Sequence, residues 1–291
     1  MASSTTLEEL VSRMRERGSQ AEQQDTGDSS FFELDMPILE FAYKDDIESM
    51  ESPFFTLSTK PDTSVFRWTS PDGNKTIVVS PSAEVGRATI FDKDVLIFCI
   101  SQIVAAFNAK KTPQRRVRFV VADFLRATGR GTSGDDYARF ADTMARLHGT
   151  TIRVTGKGES ERRSRGFGLI DAWEVVETAG EGKRRMARVE CTISAALFEA
   201  IKNRKILTIS PDYFKLRRPI ERRLYEVARK HCGSQPEWKV TLSVLKDKCG
   251  SKSELKRFRL EMRNLCKEQT LPDYQMRLED GDIVVFNPKG S

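Results

Sequence analysis

The sequence predicts an α+β chain in which one order of elements, helix, strand, helix, turn, helix, hairpin, is used twice. Three observations predict it. Apolar residues recur at helical spacing in some segments and in short β-branched runs in others. Turn residues separate those segments. The order of elements in residues 85–200 then returns in residues 201–291, with no detectable identity between the two stretches.

The 291 residues suffice for two ordinary domains. Hydrophobic residues make up 38% and charged residues 31%, the balance of a chain with a large solvated surface. No stretch approaches the roughly 18 unbroken apolar residues of a membrane span. Residues 1–10 lack the basic start and apolar core of a secretory signal, so the chain is expected in the cytoplasm. The cysteines, Cys99, Cys191, Cys232, Cys249 and Cys266, are odd in number and show no C-x-x-C spacing. They read as buried thiols in a reducing compartment. Neither a metal nor a cofactor is expected.

Residues 5–17 predict a short amphipathic helix on Leu7, Leu10, Val11 and Met14, with Thr6 as N-cap and Glu9 three residues on. Residues 18–30 hold no apolar side chain beyond Ala21 and predict a disordered linker. Residues 31–84 predict a β-rich extension packed on the first domain, with strands at 54–57, 65–68 and 76–79. The turn Pro71-Asp72-Gly73-Asn74 makes the last two a hairpin.

The first domain, residues 85–200, starts with a strongly helical stretch at 91–111, followed by Pro113. A strand at 117–121, a brief helix at 124–128 capped by Asp123, a turn at 129–134 and a helix at 135–148 come next. Strands at 150–155 and 168–176 then flank a basic loop, 156–166, and 188–193 is another strand. Residues 206–213 join this domain to the second, which spans 201–291. There Pro219 opens a helix to 229, followed by a strand at 238–240, a helix at 242–248, the turn Gly250-Ser251 and a helix at 253–268. Strands at 274–278 and 283–286 flank Glu279-Asp280-Gly281-Asp282, a hairpin turn. This is the order of a winged helix, a helix-turn-helix with a β-hairpin wing, present in tandem behind an N-terminal β-rich extension.

Charge is unevenly spread. Residues 1–84 carry 7 Lys/Arg against 16 Asp/Glu, residues 85–200 carry 20 against 14, and residues 201–291 carry 21 against 12. An acidic head and a basic body point to a polyanion such as double-stranded DNA; the plain alternative is an ordinary solvated basic surface. The sharpest cluster lies on the helix at 253–268. At 100° per residue, Leu255, Phe258, Met262 and Leu265 fall on one side. Lys256, Arg259, Arg263 and Lys267, with Lys252 just ahead, fall on another. Ser251, Lys252 and Ser253 stand at its start, the end of a recognition helix that reaches base edges, and Lys248 precedes the turn. Arginine can bridge guanine bidentately, while lysines and hydroxyls satisfy phosphates.

The first domain offers a weaker version. Arg139 and Arg146 oppose the apolar side of their helix, but Asp135, Asp136 and Asp142 share that surface and would repel phosphate. Arg130, Thr132 and Ser133 in the turn, and Lys157, Arg162, Arg163 and Arg165 on the basic loop, suit a wing that tracks the backbone or minor groove. A third cluster, Lys215, Arg217, Arg218, Arg222 and Arg223, reads equally as a phosphate site or as ion pairs with Glu221 and Glu226.

Enzyme readings fail on inventory. No G-x-x-x-x-G-K-[ST] and no G-x-S-x-G occurs, and the two histidines, His148 and His231, are each isolated, so a paired-histidine nickase site lacks its ligands. The adjacent acid pairs Asp45-Asp46 and Asp135-Asp136 leave a carboxylate-based nuclease as the rival enzyme reading.

Five stretches carry a family resemblance: residues 43–55 (YKDDIESMESPFF), 88–96 (ATIFDKDVL), 124–134 (FLRATGRGTSG), 207–233 (LTISPDYFKLRRPIERRLYEVARKHCG) and 271–274 (LPDY). Together they make residues 31–287 resemble the plasmid replication initiator protein A family of alphaproteobacterial type. The resemblance implies binding of the plasmid's own origin, help in opening it, and recruitment of host replication proteins. It also implies kinship with initiators built of tandem winged helices, in which one module supports dimerisation or backbone contact and the other reads the repeat. A homodimer through the first domain and binding to the protein's own promoter follow as expectations, and a winged-helix repressor is the rival.

Overall fold

The structure is a computed structural model that describes residues 42–158, 161–178 and 186–290, all within one compact unit. The helix expected at 5–17 and the linker expected at 18–30 lie outside the described residues.

The chain starts with a short strand, β1 (Lys44–Asp46), and a single-turn helix, α1 (Ile47–Glu51), capped where Asp46 accepts from the Ser49 N–H. Strands β2 (Phe66–Thr69) and β3 (Lys75–Ser80) form the hairpin expected around Gly73, whose φ of 72° suits a residue without a Cβ. The strand expected at 54–57 is reduced to one bridge between Thr56 and Thr89. Its apolar residues Phe54 and Phe55 enter the core from a loop, so hydrophobicity without period gave the wrong element.

The helix α2 (Lys93–Asn108) is buried nearly all round, as a central helix must be. Most of its apolar residues join a core cluster with Phe119, Phe124 and Phe140, while Ile97 joins a second cluster with Tyr43, Met50 and Tyr213. Then come β4 (Arg116–Val120), α3 (Val121–Ala127), α4 (Gly134–Gly149), β5 (Thr151–Lys157), β6 (Arg162–Gly168), β7 (Ile170–Thr178), β8 (Met186–Ile193) and α5 (Ala195–Lys202). The strand β9 (Ile206–Thr208), expected only as a connector, pairs antiparallel with β1. The last stretch holds a 3₁₀ turn (Pro211–Lys215), α6 (Pro219–His231), β10 (Trp238–Thr241), α7 (Leu242–Cys249), α8 (Leu255–Glu268), β11 (Tyr274–Glu279) and β12 (Ile283–Pro288).

Two three-stranded sheets have matching topology. One is ordered β4-β8-β7 and the other β10-β12-β11, each with its last strand in the middle. The expected basic loop at 156–166 is corrected by this arrangement. Residues 162–168 are strand β6, which pairs with β5 and joins β2 and β3 in a separate sheet ordered β2-β3-β5-β6. The hairpin in the place of β11-β12 is therefore β7-β8, whose connection, residues 179–185, lies outside the described residues. The strand was hidden because RRSRGFG alternates no apolar residues: most of both its faces are solvated, and pairing with β5 alone makes it a strand.

A buried ionic network ties these parts together. The Lys93 ammonium, fully buried, lies 2.7 Å from Asp45 and 2.9 Å from Glu226. Arg223 donates to Glu226 at 2.9 Å and to the carbonyls of Ser49 and Lys248, both at 2.8 Å. Arg222 reaches Asp94 at 2.5 Å, and Asp94 also accepts from Arg130 at 2.7 Å. Buried charge persists only where it is paired in this way.

His231 packs against this half of the molecule, its ring stacked 4.8 Å from Trp238, which stacks in turn on Phe286. Burial, aided by Lys248, Lys230 and Arg223, pushes its pKa down to about 3. The unfolded chain, with an ordinary histidine near 6.5, binds the extra proton first. Stability is therefore complete above roughly pH 6.5 and falls as pH drops toward 3, by about 1–2 kcal/mol at pH 5. Urea midpoints at pH 7.5 and pH 5 should differ less in His231→Phe, which keeps the stack without the titration.

Candidate nucleic-acid interface

Helix α8 is presented by a short helix and a tight turn. Helix α7 ends at Gly250, where φ is 67° and an added Cβ would lie 2.7 Å from Pro53 Cβ. Glycine is therefore demanded both by conformation and by space. From α8, Phe258, Met262 and Leu265 enter the core. Leu255, expected beside them, is 36% exposed at the edge.

The outward face carries Lys256, Arg257, Leu260, Arg263, Asn264 and Lys267, all exposed. Positions 256, 260, 263 and 267 form one stripe and 257, 260 and 264 its neighbour, so a single leucine, 59% exposed, lies amid four cations and an amide. Among the described residues no carboxylate comes within ion-pair distance of Lys256, Arg257, Arg263 or Lys267. A shallow groove runs between this face and the β11-β12 turn, with Arg257, Leu260, Arg263 and Asp282 among its walls.

Arg259 departs from the expected face. Its guanidinium donates to both oxygens of Asp282, Nε at 2.7 Å and Nη2 at 2.5 Å, and these bonds hold that carboxyl below the usual range. Arg259 thus fastens the hairpin turn to the helix rather than projecting outward. Lys252 is turned aside as well: its ammonium bonds Asp62 at 3.1 Å and the Ser64 hydroxyl at 2.9 Å. Burial raises Asp62, yet bonds from Ser64 and Lys252 and the charge of Arg87 outweigh it and leave the carboxyl well below normal. Ser251 and Ser253 lie 2.9 Å apart, hydroxyl to hydroxyl, just ahead of the N-cap Glu254. Lys248 is corrected outright, since it is 9% exposed and its carbonyl serves Arg223.

The family described as "Replication initiator protein A" matches residues 44–276. This chain belongs to that family. A protein of Wigglesworthia glossinidia brevipalpis, named provisionally as a replication protein, is 37% identical to the initiator over 251 residues, covering 85% of this chain and 90% of its own length. Two crystal structures of domains 2 and 3 of RctB, one a selenomethionine derivative, align with 83% of this chain and 96% of theirs. Their TM-scores are 0.59 and 0.55 at identities of 16% and 15%, a likeness of fold.

In the first half of the initiator, the sequence-predicted residues do not converge on one surface. Arg146 is corrected from DNA contact to an internal clamp: its Nε and Nη2 each donate at 2.8 Å to the buried carboxylate of Asp92, which also accepts from Thr143. Arg130 is drawn inward to Asp94 and the Phe91 carbonyl. Ser133 is the N-cap of α4 in a reciprocal pair with Asp136. Thr132 is exposed in the turn, and Arg139, 77% exposed, stands 3.7 Å from Asp136. Helix α4 exposes Asp135 and Asp142 beside that arginine, so its outer face is not cationic. Arg163 pairs with Glu161 at 2.8 Å and Arg165 with Glu48 at 2.6 Å, whereas Lys157 and Arg162 are exposed with no such partner among the described residues.

The third cluster resolves toward internal ion pairs. Arg222 and Arg223 are buried in the network, Arg218 pairs with Glu221 and Glu268, and Lys215 pairs with Asp212. Three of the four acids in the adjacent pairs are structural: Asp45 serves Lys93, Asp46 caps α1 and Asp136 caps α4, while Asp135 is exposed. Sequence reasoning missed Arg257, Leu260 and Asn264. The signal was there, since they recur at the same helical period as the lysines and arginines beside them.

Proposed function

We propose that the initiator binds the duplex of its plasmid's replication origin by laying α8 in the major groove. The observation that carries this reading is the outward face of α8, four cations around Leu260 and Asn264 with no carboxylate within ion-pair distance among the described residues. The chemistry suits base edges: arginine for guanine, asparagine for adenine, and an apolar side chain for the thymine methyl. The repeated order of elements and the matched sheets support reading both halves as winged helices, with β11-β12 as the wing held to α8 through Arg259 and Asp282.

The first module, with its acidic α4 face, would contribute backbone contact or self-association rather than base reading. Strain placed in the bound duplex would favour opening at a deformable AT-rich stretch, and host replication proteins would then be brought in. The work is done in the cytoplasm by binding and deformation, without cleavage of DNA. The same site would serve binding at the protein's own promoter.

Footprinting on DNA flanking the coding region should show a protected repeat, and a plasmid carrying that region alone should replicate only when the protein is supplied. Absence of any protected sequence would overturn the reading. Nicked circles from supercoiled DNA and magnesium would overturn the non-enzymatic part of it.

A further inference from the structure

We infer that the outer face of the sheet β2-β3-β5-β6 is a second DNA contact, gripping the duplex backbone without regard to sequence. The inference rests on the proposed DNA-binding reading and assigns it a surface outside both helix-turn-helix units.

The register places the residues. Arg67 lies opposite Val78, Val78 opposite Arg153, and Arg153 opposite Gly166. Two residues further along, Thr69, Thr76, Thr155 and Ser164 form the next row across the sheet, and beyond them Lys157 lies opposite Arg162. Side chains alternate between the faces of a sheet, so these rows share one face. The intervening residues, among them Trp68, Ile77, Val79, Ile152 and Val154, fill the core from the other.

The outer rows contain four cations around the buried Val78 and a band of hydroxyls; a nearby carboxylate, Glu161, lines the cleft beside Lys157 and Arg162 but is itself paired with Arg163. Arg67, Arg153, Lys157 and Arg162 are all exposed, and none has a carboxylate within ion-pair distance among the described residues. Strand β6 supplies an internal comparison. Arg163 and Arg165, on its other side, are each matched by a glutamate of this chain, while Arg162 is not. Among the described residues, ion pairs form on one side of the strand and not on the other.

Such a surface complements a polyanion, and hydroxyls between cations are donors to phosphate. Adjacent strands are roughly 4.8 Å apart, which puts Arg67 and Arg153 about 10 Å apart at the backbone and on different phosphates. Platforms for single strands stack bases on exposed aromatic rings. This face has none: Trp68 is buried, and Phe66 and Phe167 pack against the core. A duplex backbone is therefore the occupant. Among the described residues, the second half of the initiator shows no counterpart of this sheet.

The test uses the full chain and two paired variants, Arg67→Gln with Arg153→Gln and Lys157→Gln with Arg162→Gln. Each is titrated over a salt series onto the footprinted origin duplex, a scrambled duplex of equal length, and a single strand. Each pair should weaken both duplexes equally, about 3- to 10-fold, and lower the salt slope by about one per cation removed, leaving their affinity ratio unchanged. Wild-type affinity and slope in both pairs would overturn the inference, as would a loss confined to the origin sequence or larger on the single strand. If the cations only guard an exposed sheet against self-association, the variants will form larger particles and bind as wild type. A Lys256→Gln/Arg263→Gln chain separates the two ideas. If it loses binding while the sheet variants do not, this inference fails and the α8 reading stands.

Discussion

Replacing Lys256 and Arg263 together by glutamine is expected to lower affinity for the origin duplex by about 30- to 1000-fold, from about 1–2 kcal/mol per lost contact. Both side chains project from α8 into solvent with no carboxylate within ion-pair distance among the described residues, so no ion pair described there is lost with them. Unfolding in urea should stay within about 0.5 kcal/mol of wild type. The loss should be far smaller on a scrambled duplex, because base contacts and not only charge are removed. Equal losses on both sequences would reduce α8 to a backbone contact. Asp282→Asn makes the complementary case. Asparagine tolerates the φ of 59° there, and the change removes a negative charge and loosens Arg259 from the turn. Affinity for any duplex should rise several-fold, with a salt slope steeper by about one.

Asp94→Ala is expected to cost about 3–5 kcal/mol of folding stability, a large part of the roughly 5–15 kcal/mol that a domain has. The carboxylate is fully buried and serves two guanidiniums, Arg222 at 2.5 Å and Arg130 at 2.7 Å. Removing it strands the Arg222 charge, itself only 3% exposed, where water cannot replace the lost partner. Arg130→Ala should cost clearly less, because Arg130 is 24% exposed and Asp94 keeps its other partner. Asp94→Leu combined with Arg222→Met should recover much of the loss, since both charges leave together. Urea unfolding of the four proteins checks this, and a change below about 1 kcal/mol for Asp94→Ala would remove the network from the list of anchors.

Much of this architecture is legible from local pattern. The apolar period marks α2, α6 and α8, and Glu279-Asp280-Gly281-Asp282 marks the β11-β12 turn. The core and solvent sides of α8 follow from the same period, apart from Leu255. Most of what failed was of one kind. The partners of Arg146, Arg222 and Arg259 lie 54, 128 and 23 residues away, so no local window could show that these arginines are engaged. Strand β6 failed likewise, because it is recognisable only through pairing with β5, and the helix α1 was lost in a stretch read as strands.

The amino-acid order alone settles where most of the tight turns fall, that α2, α4, α6 and α8 are helices and which side of each is apolar, and that residues 207–233 resemble replication initiators, but not the short helices α1 and α5. Those properties depend on neighbours within a few residues, where backbone geometry sets the period. Which cations remain outward was decided only by the tertiary structure, which pairs Arg259 with Asp282, Arg146 with Asp92 and Arg222 with Asp94, and leaves Arg263, Arg67 and Arg153 without such partners among the described residues. A charge is neutralised by whatever folding brings within a few ångströms of it, and distance along the chain does not set that separation.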